Sequence, residues 1–210
     1  MVTSFISTWS VAEDGESITL PLREGFAYGF TVDWGDGSEP SEVTAHDDTD
    51  ITHTYAAAGQ YTVTIDGLME TLHFDNGGDK DKILEISNLG HVGWTSFDSA
   101  FEGCSQLVVV LGGDTSGVTT MAFMFNLASN VSPDTSTWDT SSVTNMAFMF
   151  QSATSANPDT SGWNVDKVEN MYRMFRNASS AVPDMSEWSL SAIISMGDIV
   201  QRNEYWNRGL

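Results

Sequence analysis

The chain has 210 residues, of which 40% are hydrophobic and 11% aromatic, so it can fill one domain or two small ones and is too apolar for a disordered chain. Acidic residues outnumber basic residues by 29 to 8, and a formal charge of −21 repels phosphate backbones and anionic lipid surfaces. We therefore expect neither nucleic acid binding nor membrane insertion.

The first third of the chain has the alternation typical of β-strands. Residues 30–37, F-T-V-D-W-G-D-G, alternate apolar and polar side chains before a glycine-rich turn, which predicts a strand and a hairpin. Residues 51–65 contain two more such runs, and Thr19–Leu22 and Lys82–Ile86 add short strands. The turn-rich sequence D-N-G-G-D at Asp75–Asp79 marks a boundary. We predict a β-sandwich-like segment over residues 1–70 and a second unit over 71–210.

The second unit contains an internal repeat of 25 residues, with the consensus V-T-x-M-x-x-M-F-x-x-A followed by P-D-x-S-x-W. A degenerate copy at Trp94–Cys104 precedes the others at a period of 24. Its lone cysteine, Cys104, aligns with Ala128, which indicates a small buried hydrophobe and not a catalytic nucleophile. The columns of equivalent residues include Met121, Met146, Met171 and Met196; Phe125, Phe150 and Phe175; Asp134, Asp159 and Asp184; and Trp138, Trp163 and Trp188.

Each repeat resembles a strand followed by a helical turn. Met146, Met149, Phe150 and Ala153 stand at i, i+3, i+4 and i+7, the spacing of one face of a short helix. Such a unit must stack on its neighbours to bury its apolar residues, so the Met and Phe columns should form the core. The predicted fold class is mixed β/α, a short leucine-rich-repeat-like solenoid capped by an N-terminal antiparallel β-sandwich-like segment.

Two columns and one turn have two interpretations each. The tryptophan column is either core packing or an aromatic platform for sugars. The Asp134 and Asp159 column either accepts backbone N–H bonds in turns or binds an ion, and Asp33 and Asp36 form either a tight turn or a calcium site. We name these four aspartates as candidate Ca²⁺ ligands, because the acidic surface suits a calcium-rich extracellular setting.

No catalytic constellation is evident in the sequence. The four histidines are scattered without the spacing of zinc sites, and there is no nucleophile elbow, phosphate-binding loop or dinucleotide fingerprint. No stretch approaches 18 apolar residues, and a basic and apolar leader is not evident at the N-terminus. We therefore predict a binding module and not an enzyme.

The motifs resemble known families. V-T-N-M-A-F-M-F and P-D-T-S-x-W are similar to the BspA-like repeats of bacterial surface proteins, and V-D-W-G-D-G-S with H-T-Y-A-A-A-G-Q-Y-T-V-T-I resembles polycystic-kidney-disease-type domains. This resemblance implies adhesion at a bacterial cell surface. A related set, the ligand-binding modules of RTX adhesins, implies calcium-dependent recognition of short peptides, although the RTX nonapeptide is absent here.

The resulting hypothesis is an extracellular adhesin module, a monomeric part of a larger protein, that recognises a peptide or protein on another cell. The alternatives are carbohydrate binding through exposed aromatics and a structural spacer. A calcium ion held by the loops could receive the C-terminal carboxylate of a peptide. The predicted ligand-binding residues are Phe148, Tyr172, Ser155, Asn157 and Asp159.

Overall fold

The computed structural model describes residues 3–200, which are almost entirely strands and turns. The only helical element in this range is a single 3-10 turn at Thr49–Ile51. The nine strands are β1 (Phe5–Val11), β2 (Ser17–Thr19), β3 (Tyr28–Asp33), β4 (Ser41–Val43), β5 (Thr52–Thr54), β6 (Gly59–Met69), β7 (Ile83–Asn88), β8 (Val109–Val110) and β9 (Ser132–Pro133).

Seven strands form one mixed sheet in the order β4-β3-β6-β1-β7-β8-β9, and β2 and β5 form a separate antiparallel pair. The pairs from β4 to β7 are antiparallel, whereas β7, β8 and β9 are parallel. In β1 every second residue is buried, so Phe5, Trp9 and Val11 face the core. The sheet runs across the proposed boundary at residues 70 and 71, because β1 pairs with both β6 and β7.

The copies of the 25-residue repeat stack in parallel. Single β-bridges join Ser96, Thr120, Asn145, Asn170 and Ser195, which are equivalent positions of successive copies. In the segment that follows each bridge, alternate N–H groups donate to the next copy, as from Met146 to the Asn170 carbonyl at 2.8 Å and from Phe148 to the Tyr172 carbonyl at 2.9 Å. The intervening N–H groups close turns, as from Met149 to the Met146 carbonyl. Every repeat is thus a chain of turns bonded to its neighbours.

The predicted helix in each repeat is wrong. Residues 146–153 are a run of turns, in which Phe148 and Ser152 have φ of 60° and 59°. Left-handed residues every fourth position cannot belong to a right-handed helix, and the N–H groups that a helix would use internally are bonded to the next repeat instead. The expectation that these four residues face the core is nevertheless confirmed, because Met146, Met149, Phe150 and Ala153 are all fully buried.

The predicted fold class is corrected accordingly. There is no α-helix in residues 3–200, and the regular structure is a seven-stranded mixed sheet with stacked turns, not a mixed β/α leucine-rich-repeat-like solenoid with a sandwich cap. The reason is that hydrogen bonds to residues 23 or 24 positions away replace the local bonds from which a helix is built.

One continuous hydrophobic cluster joins the first strands to the repeats. The rings of Phe101, Phe125, Phe150 and Phe175 stack one above the next at centroid distances of 5.5–5.7 Å. Trp138 and Trp163 are each 4% exposed, which confirms that these tryptophans are core residues and excludes a sugar platform on them. The prediction that Cys104 is buried is also confirmed.

Candidate binding surface

The outer face of the stacked turns carries a row of aromatic rings. The third residue after each β-bridge is Ser99, Phe123, Phe148, Arg173 and Asp198 in successive copies, and all of these except the buried Ser99 are partly or fully exposed. All of these have φ between 51° and 60°, the left-handed region. Because the copies are in register, equivalent side chains meet along the stack.

We define the aromatic row as Phe123, Phe148, Tyr172 and Arg173. The rings of Phe123 and Phe148 are nearly parallel, with centroids 4.5 Å apart and an interplanar angle of 12°. Tyr172 meets Phe148 edge-on at 5.3 Å, and the Arg173 guanidinium lies 4.7 Å from the centre of the Tyr172 ring. All four side chains are partly exposed. The row therefore offers apolar ring surface that ends in the Arg173–Asp198 ion pair, at 3.4 Å.

The backbone of the aromatic row is strained. A left-handed conformation costs a residue with a side chain about 1–2 kcal/mol, and glycine avoids this cost. Phe123 and Phe148 nevertheless occupy such positions on an exposed face, and so does Leu127, which has φ of 64° and is 43% exposed. Large side chains at positions that favour glycine break a local rule, and such departures concentrate at functional sites.

Two of the five predicted ligand-binding residues, Phe148 and Tyr172, belong to the aromatic row. The other three lie exposed in the loop that follows. The Ser155 N–H donates to the Ser129 carbonyl at 3.1 Å, and Asn157 Oδ1 accepts the Val182 N–H at 2.8 Å. Within the described residues, no hydrogen bond or ring contact connects this loop group, which includes Asp159, to Phe148 or Tyr172.

The two repeat aspartates proposed as metal ligands each hold a turn. Oδ1 of Asp134 accepts the hydroxyl of Ser136 at 2.6 Å and its backbone N–H at 3.1 Å, and Asp159 holds Ser161 in the same way. These bonds favour the carboxylate, so the pKa of each aspartate lies below its ordinary value, although the neighbouring aspartate of the column opposes the shift. Asp134 and Asp159 thus have a structural role in any case.

The other two proposed ligands lie in the turn after β3. Oδ1 of Asp33 accepts the Gly35 N–H, and Oδ2 of Asp36 lies 2.8 Å from Nε2 of His53. The Ser38 hydroxyl, together with His53, lowers the pKa of Asp36 to about 2. His53 also stacks on Trp34, with centroids 5.1 Å apart. Among residues 3–200 there is no cluster of three or more His, Cys, Asp or Glu side chains suited to a metal, and the calcium site stays a prediction.

Sequence reasoning missed two members of the aromatic row, Phe123 and Arg173. A signal was available, because the run Met121–Phe125 consists entirely of large or apolar residues in a chain segment that turns, and all five cannot face inward. Which residue faces outward depends on the left-handed φ of Phe123, and the sequence pattern did not reveal that.

Fold and surface together define an all-β protein with stacked turn repeats and an exposed aromatic row. The chain belongs to the family described as Mycoplasma protein of unknown function, DUF285, whose profile matches residues 95–210. Comparisons with curated proteins and with solved structures gave no match. No helix within residues 3–200 has the length and hydropathy to span a bilayer.

The family match corrects the expected resemblance. The chain was expected to be a BspA-like protein with a polycystic-kidney-disease-like segment and a relation to RTX adhesins, and that identification is wrong: the family found is a different one, and the repeats lack the leucine-rich-repeat architecture. The similarity had been carried by the Met, Phe and Trp columns. Those columns record the burial pattern of a 25-residue repeat, and burial alone does not fix the backbone between them.

Proposed function

We propose that the protein is a non-enzymatic module of a bacterial cell surface that binds a peptide or protein segment of another cell along the aromatic row. The observation that carries this proposal is the row of Phe123, Phe148 and Tyr172, which are partly exposed and continued by Arg173, with left-handed backbone at Phe123, Phe148 and Arg173. Aromatic and arginine side chains are enriched among the residues that dominate protein interfaces.

The shape of the row favours an extended ligand. It crosses three successive repeats, so its rings follow the stacking direction, and a peptide in extended conformation could contact each ring with a different side chain. A footprint of a few side chains supports micromolar affinity on general grounds. The charge of −21 opposes binding of nucleic acid or an anionic membrane.

Carbohydrate binding is the second candidate. Trp138 and Trp163 cannot serve it because they are buried, whereas Tyr172 and Phe148 are partly exposed and could contact a sugar. A third possibility, a spacer without a ligand, leaves the strained aromatic positions without a role.

We include calcium dependence in the proposal because the aspartate column offers candidate ligands for the ion. In the described part of the chain, Oδ1 of Asp134 and of Asp159 accepts hydrogen bonds from a serine two residues later, whereas Oδ2 has no hydrogen-bond partner. One oxygen of each carboxylate is therefore available to an ion. A bound ion would reverse the local charge and could receive a peptide carboxylate. Amidating the C-terminus of a binding peptide tests this step.

The test is a peptide and glycan array probed with the whole protein, with calcium and with chelator. Phe148→Ala and Tyr172→Ala should each abolish peptide binding while the urea midpoint stays close to that of the wild type. Leu68→Ala is the control, because it removes an apolar side chain of β6 that is 40% exposed and does not belong to the row. Binding that persists in both aromatic variants would eliminate the aromatic row as the site, and glycan signals alone would establish the second candidate.

A further inference from the structure

One stretch of the chain carries more apolar side chains than the core takes up. Residues 107–111 read L-V-V-V-L and contain β8, whereas β3 alternates strictly between buried and exposed residues. Two of the five residues are fully buried, but Val108 is 49% exposed, Leu111 is 37% exposed and Val109 is partly exposed. Three of these five apolar side chains therefore reach the surface.

The exposed residues belong to an ordered part of the sheet. β8 is an inner strand, which pairs in parallel with β7 on one side and with β9 on the other. The Val108 N–H donates to the Leu84 carbonyl at 2.9 Å, and the Val108 carbonyl accepts the Ser132 N–H at 2.8 Å. Leu84 is itself partly exposed. We define the β8 strip as Leu84, Val108, Val109 and Leu111, four apolar side chains on or next to two inner strands.

The later copies of the repeat have polar residues where the β8 strip is apolar. The register of β8 and β9 places Ser132 beside Val109. Two residues further along, Asp134 stands beside Leu111, and Asp159 follows Asp134 at the 25-residue period. The stack can therefore be built with serine and aspartate at these positions. Stacking gives no reason for the apolar residues of the strip, and such departures from a local pattern concentrate at functional sites.

Carboxylates border the β8 strip on both sides. Glu85 pairs with Val109 across β7 and β8, and its side chain forms no hydrogen bond or ion pair within residues 3–200. On the side of β9, Asp134 uses only Oδ1 in hydrogen bonds within the same range. The strip therefore combines exposed apolar side chains with negative charge that no cation of the described chain neutralises.

We infer that the β8 strip is a docking surface for a segment of another protein that carries apolar and basic side chains together. The apolar side chains of the partner would cover the strip, and its lysines or arginines would pair with Glu85 and Asp134. Complementary charge at the border favours the encounter and fixes the position of the segment. The strip is formed by other segments of the chain than the aromatic row, so this inference does not depend on peptide binding along that row.

A second copy of the chain and an anionic membrane fit this surface less well. In a two-fold symmetric contact the same surface meets itself, so Glu85 and Asp134 of both copies would be brought together. Each copy also carries a formal charge of −21, which repels a second copy and anionic lipids alike. A basic partner satisfies both the apolar side chains and the carboxylates.

The experiment measures the binding of three labelled peptides to the whole protein by fluorescence anisotropy, in chelator so that no calcium competes for Asp134. The first peptide alternates lysine with valine and leucine, the second has serine in place of valine and leucine, and the third has glutamate in place of lysine. The first should bind with roughly micromolar affinity, and about tenfold or more tighter than the other two. Equal binding of the first two peptides, or no binding of the first, would overturn the inference.

A double variant locates the contact. Val109→Ser combined with Leu111→Asp gives β8 the residues that β9 carries beside it, so the urea midpoint should stay close to that of the wild type. The affinity for the first peptide should fall by about tenfold or more. Leu127→Asp is the matched control, because it adds the same charge and removes a leucine that is 43% exposed outside the strip. Equal affinities of the double variant and this control would overturn the inference.

Two further measurements test the border and the occupant. Glu85→Lys leaves the apolar strip intact and should weaken binding of the first peptide by about threefold or more, whereas an unchanged affinity would refute the pairing with the carboxylates. Sedimentation velocity should show a monomeric wild type. A dimer that dissociates on Val109→Ser with Leu111→Asp would identify a second copy as the occupant and overturn the inference.

Discussion

Two phenylalanines of one repeat, two positions apart, provide a direct test of the stacked-turn structure. Phe150 is fully buried, and its ring lies parallel to those of Phe125 and Phe175 at 5.5 Å on either side. Phe148 is partly exposed and has a left-handed φ of 60°. A helix with the predicted face would also bury Phe150 and leave Phe148 outside, but it would give Phe148 a right-handed φ, so the two structures differ in the effect expected of glycine at position 148.

Phe150→Ala should lower the free energy of unfolding by about 3–5 kcal/mol, since it removes a buried ring and leaves a cavity. The two ring pairs contribute about 0.5–1.5 kcal/mol each beyond burial, which favours the upper part of that range. At a denaturant dependence of about 2 kcal/mol per molar urea, the midpoint should fall by roughly 2 M. A loss of this size is a large fraction of the total stability of a typical domain.

Phe148→Gly should change the free energy of unfolding by no more than about 1 kcal/mol. The loss of the partly exposed stack on Phe123 destabilises the protein, and relief of the left-handed backbone offsets that loss. Urea unfolding followed by circular dichroism measures both variants. Equal destabilisation by the two substitutions, or a larger loss for Phe148→Gly, would refute the assignment of inward and outward positions.

Three further predictions concern other parts of the chain. Asp36→Asn should lower the free energy of unfolding by about 1–2 kcal/mol near pH 6, after allowance for solvent screening of a side chain that is 20% exposed. Because the pKa of Asp36 is depressed to about 2 in the folded state, this difference should shrink as the pH falls from 4 towards 2. A difference that stays constant with pH contradicts the ion pair and hydrogen bonds assigned to Asp36. Cys104 should resist a thiol reagent until the protein unfolds, since burial raises its pKa, and rapid labelling of the native protein would disprove this burial. Chelation should lower the Tm if Asp134 or Asp159 binds calcium, whereas superimposable melting curves would remove calcium from the proposal.

The candidate binding surface was only partly accessible to sequence analysis. Phe148 and Tyr172 were predicted as exposed contacts, and the structure places them together at 5.3 Å. Phe123 joins them because its backbone is left-handed, and no pattern of residue types signals that conformation at a phenylalanine. The loop residues Ser155 and Asn157 were predicted as part of the same site, and that stays a prediction: the Ser155 N–H and the Asn157 side chain bond to neighbouring copies, and no hydrogen bond within residues 3–200 links them to Phe148 or Tyr172.

The sequence by itself determined the 25-residue period and the buried columns, because residues one period apart must meet when copies stack. The full burial of Met146, Phe150 and Cys104 follows from that rule whatever the backbone does between them. The sequence did not determine the backbone, since the spacing of Met146, Met149 and Phe150 fits a helix and a run of turns equally well. Only the tertiary structure decided between them: the hydrogen bonds that exclude the helix join residues 23 or 24 apart, and β1 reaches β7 across more than 70 residues, so neither is visible in a local pattern.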